Sequence, residues 1–248
     1  MHLLRQITHL VPLFTNMKMS EHDLVCMFRD QAHREVWEFY PENQLWDFLM
    51  QDKKTGTQVA FQAKLKINSN VIEQCTELLQ STRWRTRVAG PHYAAVLIPF
   101  SETQVKGFEK FKKRCSAHKL LIFTEKDVFA EIQPDWEPYR RSFAEPVWVP
   151  PFVPDLPAGV KSPRSVTPFK VGVVRLCQAI REGLQPTHKQ IREYNAGSVQ
   201  YWVKYLKRLP GRPAKFAVID LDALPDLHDF KDVAEGIQRQ NKEPSPGK

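Results

Sequence analysis

Residues 45–67 read LWDFLMQDKKTGTQVAFQAKLKI. Two apolar runs flank the turn residues QDKKTGT, and each run alternates with the period of two that a half-buried strand requires. The stretch reads as a hairpin whose turn is centred near Lys54 and Thr55, which sets Asp47 opposite Gln62. One face then carries Leu45, Asp47 and Leu49 on the outgoing strand and Gln62, Lys64 and Lys66 on the return strand. The other face carries Trp46, Phe48, Met50, Phe61, Ala63, Leu65 and Ile67 and is apolar enough to be core. An acid and a lysine on neighbouring strands, at the edge of a packed sheet, are placed to hold a divalent cation and a water together.

Upstream, Ser20 and Asp23 have the spacing of a capping box, and Leu24, Val25, Phe28 and Ala32 recur at helical spacing, so a helix is expected over 21–33. A short strand is expected over 35–40. Downstream, 70–80 reads as a helix, 92–100 (HYAAVLIPF) as a buried strand, 102–118 as a basic amphipathic helix and 120–123 as a further strand. The order is helix, three strands, helix, strand, helix, strand.

An acid at the start of the hairpin, followed by Gln62-Ala63-Lys64 after the apolar Val59-Ala60-Phe61, resembles the PD-(D/E)XK nuclease superfamily in the Q-x-K form of Mrr-type restriction enzymes. The order of elements over about 20–125 is similar to that family's core. The resemblance implies that Asp47 binds Mg²⁺, with Mn²⁺ as a substitute, that the Ala63 carbonyl supplies a second oxygen ligand, and that Lys64 orients or deprotonates the attacking water. Glu21 matches the family's helix-borne acid, since it shares a stripe with Leu24, Val25 and Phe28; Glu42, just before the hairpin, is the substitute. Two departures stand out: Trp46 precedes Asp47 where the family has proline, and Gln62 replaces a carboxylate, leaving the site one negative charge short. Each residue also admits a structural role. Glu21 complements the helix dipole, Asp47 ends a strand edge, and Lys64 is a solvated charge; the residues alone leave both readings open.

The whole chain has 248 residues, 42% apolar and 26% charged, with 36 Lys and Arg against 28 Asp and Glu. That length favours two domains at roughly 150 residues each, and the composition excludes a disordered tail, a collagen-like fibre and a membrane bundle. The +8 net charge suits a polyanionic partner. Four cysteines without a CxxC pair give neither a zinc knuckle nor a disulfide scaffold, which fits a reducing, cytoplasmic setting. Residues 1–18, an apolar run broken by Arg5, His9 and Pro12, have neither a cleavage site nor the length to span a bilayer and are expected to belong to the fold. His9, His22, His33 and His92 lack metal-ligand spacing.

Nine of the 19 prolines fall between Pro134 and Pro168, which reads as a stiff, extended linker over 133–167. Beyond it, from Lys170 to Lys215, ten Lys or Arg face only Glu182 and Glu193. Helices are expected over 171–181, from Thr187 through HKQIREYN, and from Ser198 through VQYWVKYLKRL; LPGRPA then leads to the strand KFAVID. This resembles a winged helix-turn-helix over 168–240, with a disordered tail over 241–248. Val199, Trp202, Val203, Leu206 and Leu209 would be buried. Ser198, Gln200, Tyr201, Lys204, Lys207 and Arg208 would face DNA, with Gly211 and Arg212 in the wing. Arg83, Arg85 and Arg87 would line a strand face for phosphate contacts, whereas Lys106, Lys110, Lys112, Lys113, Arg114 and Lys119 read more readily as solubilising charges.

The expectation is therefore an α/β protein, a restriction-endonuclease-like mixed sheet flanked by helices (1–132), joined by a Pro-rich linker to a winged helix. Its expected activity is that of a metal-dependent endonuclease on duplex DNA. The alternatives are a transposon end-cleaving subunit acting with a transposase, or a non-catalytic DNA-binding scaffold on a degenerate nuclease fold; a winged helix also serves as a protein-interaction module.

Overall fold

The computed structural model describes residues 19–43, 45–84, 89–143, 145–154 and 166–242. Helix α1 (Glu21–Gln31) starts as its sequence requires: Ser20 Oγ accepts from the Asp23 N–H at 3.1 Å, and the Asp23 carboxylate accepts from the Ser20 N–H at 2.8 Å. These hydrogen bonds hold the Asp23 carboxyl below the usual carboxylate range. Strands β1 (Trp37–Asn43), β2 (Trp46–Asp52) and β3 (Gln58–Ala63) form an antiparallel meander. The β2–β3 turn is built as an Asx turn, the Asp52 carboxylate accepting from the N–H groups of Lys54 at 2.9 Å and Thr55 at 2.6 Å, with Gly56 at φ +70°. Its register pairs Phe48 with Phe61 and Gln51 with Gln58, so one further step sets Asp47 against Gln62.

Helix α2 (Ser69–Trp84) leads to β4 (Tyr93–Ile98), which lies parallel to β3, and α3 (Phe108–Ala117) leads to β5 (Leu120–Thr124), parallel to β4. The five-stranded mixed sheet has strand order β1-β2-β3-β4-β5. One face packs α1, through Leu24, Val25 and Phe28, onto Phe48, Phe61 and Phe123. The other packs α2 and α3, through Val71, Ile72, Cys75, Phe111 and Cys115, onto Leu49, Ala60, Ala94 and Val96. Every residue of β3 and β4 is buried, as parallel strands covered on both sides must be.

Several expectations need correction. The basic helix expected over 102–118 is a 3-10 turn, Phe100–Gln104, and a separate α3, because Gly107 adopts φ +108°. Trp46 and Ile67 pack on the α2–α3 side instead of with Phe48; Leu45, at φ +78°, rotates the chain where β1 turns into β2. Arg83 lies in α2, so no alternating strand begins there; Arg85 and Arg87 lie outside the described residues, as does 1–18.

The proline-rich stretch is the largest correction, because through Pro154 it is packed. Pro134–Tyr139 forms a 3-10 turn that buries Trp136 among Tyr93, Phe123 and Phe129, with ring centroids 5.3–5.9 Å apart. The Gln58 amide grips Val147 at both ends, donating to its carbonyl and accepting from its N–H, each at 2.8 Å. Asn43 donates to the Trp148 carbonyl at 3.2 Å, and Trp148 and Phe152 pack onto the C-terminal helices. Proline forbids regular helix here but not burial, since the freed carbonyls find side-chain donors. Residues 155–165 lie outside the described residues.

The C-terminal segment comprises α4 (Pro168–Arg181), α5 (His188–Glu193), α6 (Val199–Trp202), an antiparallel hairpin β6 (Leu206–Arg208) and β7 (Phe216–Val218), α7 (Pro225–His228) and α8 (Lys231–Lys242). Thr187 and Gln190 form a capping box on α5. The third helix is shorter than expected: Ile219 donates to the Tyr205 carbonyl and Leu206 pairs with Val218, so the hairpin takes over the main chain after Trp202. Val203, expected in the buried stripe, is exposed. Helix α8 includes Asn241 and Lys242, expected in a disordered tail, and 243–248 lie outside the described residues. Arg181 clamps α4 to α7 through the buried Asp226 carboxylate. No helix among the described residues is long and apolar enough to cross a membrane.

If the stretch through Pro154 is core, Trp136→Ala should cost about 3 kcal/mol of unfolding free energy, the toll of deleting a buried aromatic. Chemical denaturation measures it. A free linker would lose almost nothing.

Candidate active site

Three side chains from separate elements meet where β3 ends. Glu21 opens α1, and the buried Leu24, Val25 and Phe28 press that helix onto the sheet so that its first turn overhangs the strand end. Lys64 follows β3 directly; its N–H extends the parallel ladder by donating to the Leu97 carbonyl at 2.9 Å. Its ammonium lies 3.1 and 3.2 Å from the two Glu21 carboxylate oxygens. Both partners are about a quarter to a third exposed, at 26% and 32%, so the pair is reachable from solvent.

Asp47, on β2, accepts from the Ala63 N–H through Oδ2 at 2.7 Å. Burial raises its pKa; the Ala63 N–H and the Lys64 charge oppose this, and the Glu21 charge adds to it. A carboxylate in this setting gains from a neighbouring cation.

Gln62 is fully buried. Its Nε2 donates to the Leu45 carbonyl at 2.9 Å, while its Oε1 has no hydrogen-bond donor. An unpaired buried amide oxygen is costly and is the exception in a folded protein. The sequence marked Gln62 by position but carried no signal for this arrangement, because its anchor is a main-chain carbonyl.

Glu21, Asp47 and Lys64 are thus brought together, with Gln62 and Ala63 in the same strand end. Glu42, the substitute acid, is half-buried on β1 at φ +47°. Among the described residues no group of three or more His, Cys, Asp or Glu is gathered for a metal. A cation here would draw on two carboxylates and on neutral oxygens, a hard donor set of the kind Mg²⁺ accepts with water completing its shell.

In the C-terminal segment Ser198, Gln200, Lys204, Lys207, Arg208 and Arg212 are exposed, with Lys207 and Arg208 on β6 instead of a helix. Tyr201, expected to face outward, is half-buried, its ring 5.4 Å from Phe169 and 5.6 Å from Trp202.

The chain matches no protein-family model, and searches of curated proteins and of solved structures returned no match.

Gln62→Glu tests the strand end. The new carboxylate would lose the bond to Leu45 and sit buried beside Asp47, so stability in chelator should fall by about 2–4 kcal/mol. Thermal unfolding with added Mg²⁺ should recover most of it, and the parent should respond less. Equal response by parent and variant would show that Gln62 does not face the ion.

Proposed function

We propose that the protein is a metal-dependent DNA endonuclease with a restriction-endonuclease-like site. The observation that carries this reading is the convergence of Glu21, Asp47 and Lys64, widely separated in sequence, on the end of the strand bearing Gln62-Ala63-Lys64. Structural ion pairs alone would not need a partly exposed lysine, a partly buried acid and an unpaired amide oxygen at one strand end.

In this reading Asp47, Glu21, the Gln62 Oε1 and the Ala63 carbonyl would hold a Mg²⁺ or Mn²⁺ ion. When bound, the ion neutralises charge developing on the phosphate. Asp47 is fixed by the Ala63 N–H, so one carboxylate oxygen is committed to the strand and the other is directed at the site. Lys64 orients the attacking water near the phosphorus through an ammonium N–H, Glu21 keeps that ammonium in place, and the proton the water loses on attack passes to solvent. Attack forms the new P–O bond as the bond to the leaving oxygen breaks, and that oxygen is protonated from solvent.

The C-terminal segment is read as a winged helix with a short third helix, in which exposed Gln200 and Lys204 and the β6–β7 hairpin, with Lys207, Arg208 and Arg212, contact duplex DNA. Phosphate contacts of this kind position the duplex, and Gln200 supplies the base-reading chemistry.

The test is cleavage of plasmid DNA by the full chain with Mg²⁺ or Mn²⁺. Asp47→Ala should abolish it, and Lys64→Ala should lower the rate by about 10² or more with duplex affinity nearly unchanged. Unchanged cutting by both variants would remove this site from the chemistry. A parent inert with either metal but active on adding a transposase would support the partner-dependent alternative. Inertness in all conditions would leave a DNA-binding scaffold.

A further inference from the structure

Helix α3 differs from the other surface helices in how its charge is balanced. On α5 and α8 an exposed lysine sits one helical turn from an acid, Lys189 3.5 Å from Glu193 and Lys231 3.9 Å from Glu235. On α3 and its flanks Lys106, Lys110, Lys112, Lys113, Arg114 and Lys119 are all exposed. Among the described residues none of these six forms an ion pair. Lys110 is three residues from Lys113 and four from Arg114, spacings at which like charges repel. Exposed Glu109, the one acid on α3, stands four residues before Lys113, yet among the described residues it forms no ion pair with it, so six cations crowd this surface against one acid.

The cations are also placed. Strands β3 and β4 run parallel and end together, Ala63 beside Leu97. Just past Lys64, the Ile67 N–H donates to the Glu102 carboxylate at 2.9 Å, fastening the 3-10 turn Phe100–Gln104 to the site's own strand end. Exposed Lys66 directly precedes Ile67, and exposed Lys106 follows the end of the 3-10 turn by two residues. A row therefore runs from Lys64 through Lys66 and Lys106 onto the outer face of α3 at Lys110 and Lys113, opposite the buried Phe111 and Cys115. Helix α3 covers the sheet face formed by Leu49 and Ala60, which share strand parity with Asp47 and Gln62.

The class of partner follows from what the row lacks. A helix that lies on an acidic membrane inserts an apolar face, but the apolar residues of α3 are spent on the core. An unpaired cationic row whose exposed apolar neighbours are only Val105 and Phe100, off the helix, suits a regularly spaced polyanion. Ten helical residues span about 15 Å, the axial rise of about four base pairs.

We propose that the outer face of α3, continued through Lys106 and Lys66, binds the phosphate backbone of duplex DNA beside the carboxylate–lysine site. The proposal rests on the endonuclease reading for its choice of polyanion. It gives the N-terminal sheet its own hold on DNA, separate from that of the C-terminal segment.

The test uses the full chain carrying Asp47→Ala, with and without Lys106→Ala, Lys110→Ala and Lys113→Ala together, and measures affinity for a labelled duplex across salt concentrations. The triple change should reduce the slope of log K against log salt by about two to three, at roughly 0.9 per lost phosphate contact, with an unaltered unfolding midpoint because all three side chains are exposed. Lys207→Ala with Arg208→Ala should lower the slope independently, and the two effects should add. An unchanged slope in the triple variant overturns the proposal, as does parent protein that binds acidic vesicles but no duplex. The two readings fail separately: if the parent cuts DNA but the triple variant keeps its slope, the α3 surface falls and the site stands. If the slope drops but the parent never cuts with Mg²⁺ or Mn²⁺, the surface stands and the site reading falls.

Discussion

The hydrogen bond from the Ala63 N–H to the Asp47 carboxylate is the constraint on which the strand end depends. It joins β2 to β3 one step beyond the last paired residues, Phe48 and Phe61, and there a side chain does what a main-chain carbonyl does elsewhere in the ladder. Asp47 is partly buried there, and that burial raises its pKa against the opposing effect of the Ala63 N–H. Because Ala63 is held on that side, Lys64 takes its main-chain partner from β4 and extends toward α1. The Lys64–Glu21 contact is therefore a consequence of sheet register as much as of charge.

A partly buried acid, a neighbouring acid and a single lysine make a poor structural solution. Exposed or half-exposed ion pairs contribute little to stability, and Gln62 leaves an oxygen without a donor. The fold could satisfy these groups more cheaply with apolar side chains. The proposed cation would give the same groups a common purpose.

Local chemistry made much of this legible in the sequence. The Ser20–Asp23 box starts α1 where expected, and the turn residues after Gln51 set the hairpin register that aligns Asp47 with Gln62, because both signals act over a few residues. What was not legible depends on distant partners. Nothing in the proline spacing foretells that Trp136 enters the aromatic core or that Gln58 would bind Val147, 89 residues away. The third helix stops early because β7 competes for its main chain, and Tyr201 turns inward toward Phe169 for the same tertiary reason. Within the site, the positions of Glu21, Asp47 and Lys64 followed from periodicity and resemblance, whereas the unpaired oxygen of Gln62 is visible only in three dimensions.

The most direct measurement is a crystal structure of the protein grown with Mn²⁺ and read by its anomalous signal. The account predicts a peak within about 2.2 Å, close to the distance expected for a hard divalent cation, of a carboxylate oxygen of Asp47 and of the Ala63 carbonyl, with Glu21 drawn from Lys64 toward the ion. A saturating Mn²⁺ concentration that leaves this strand end without a peak, and the Lys64–Glu21 pair intact, would contradict it.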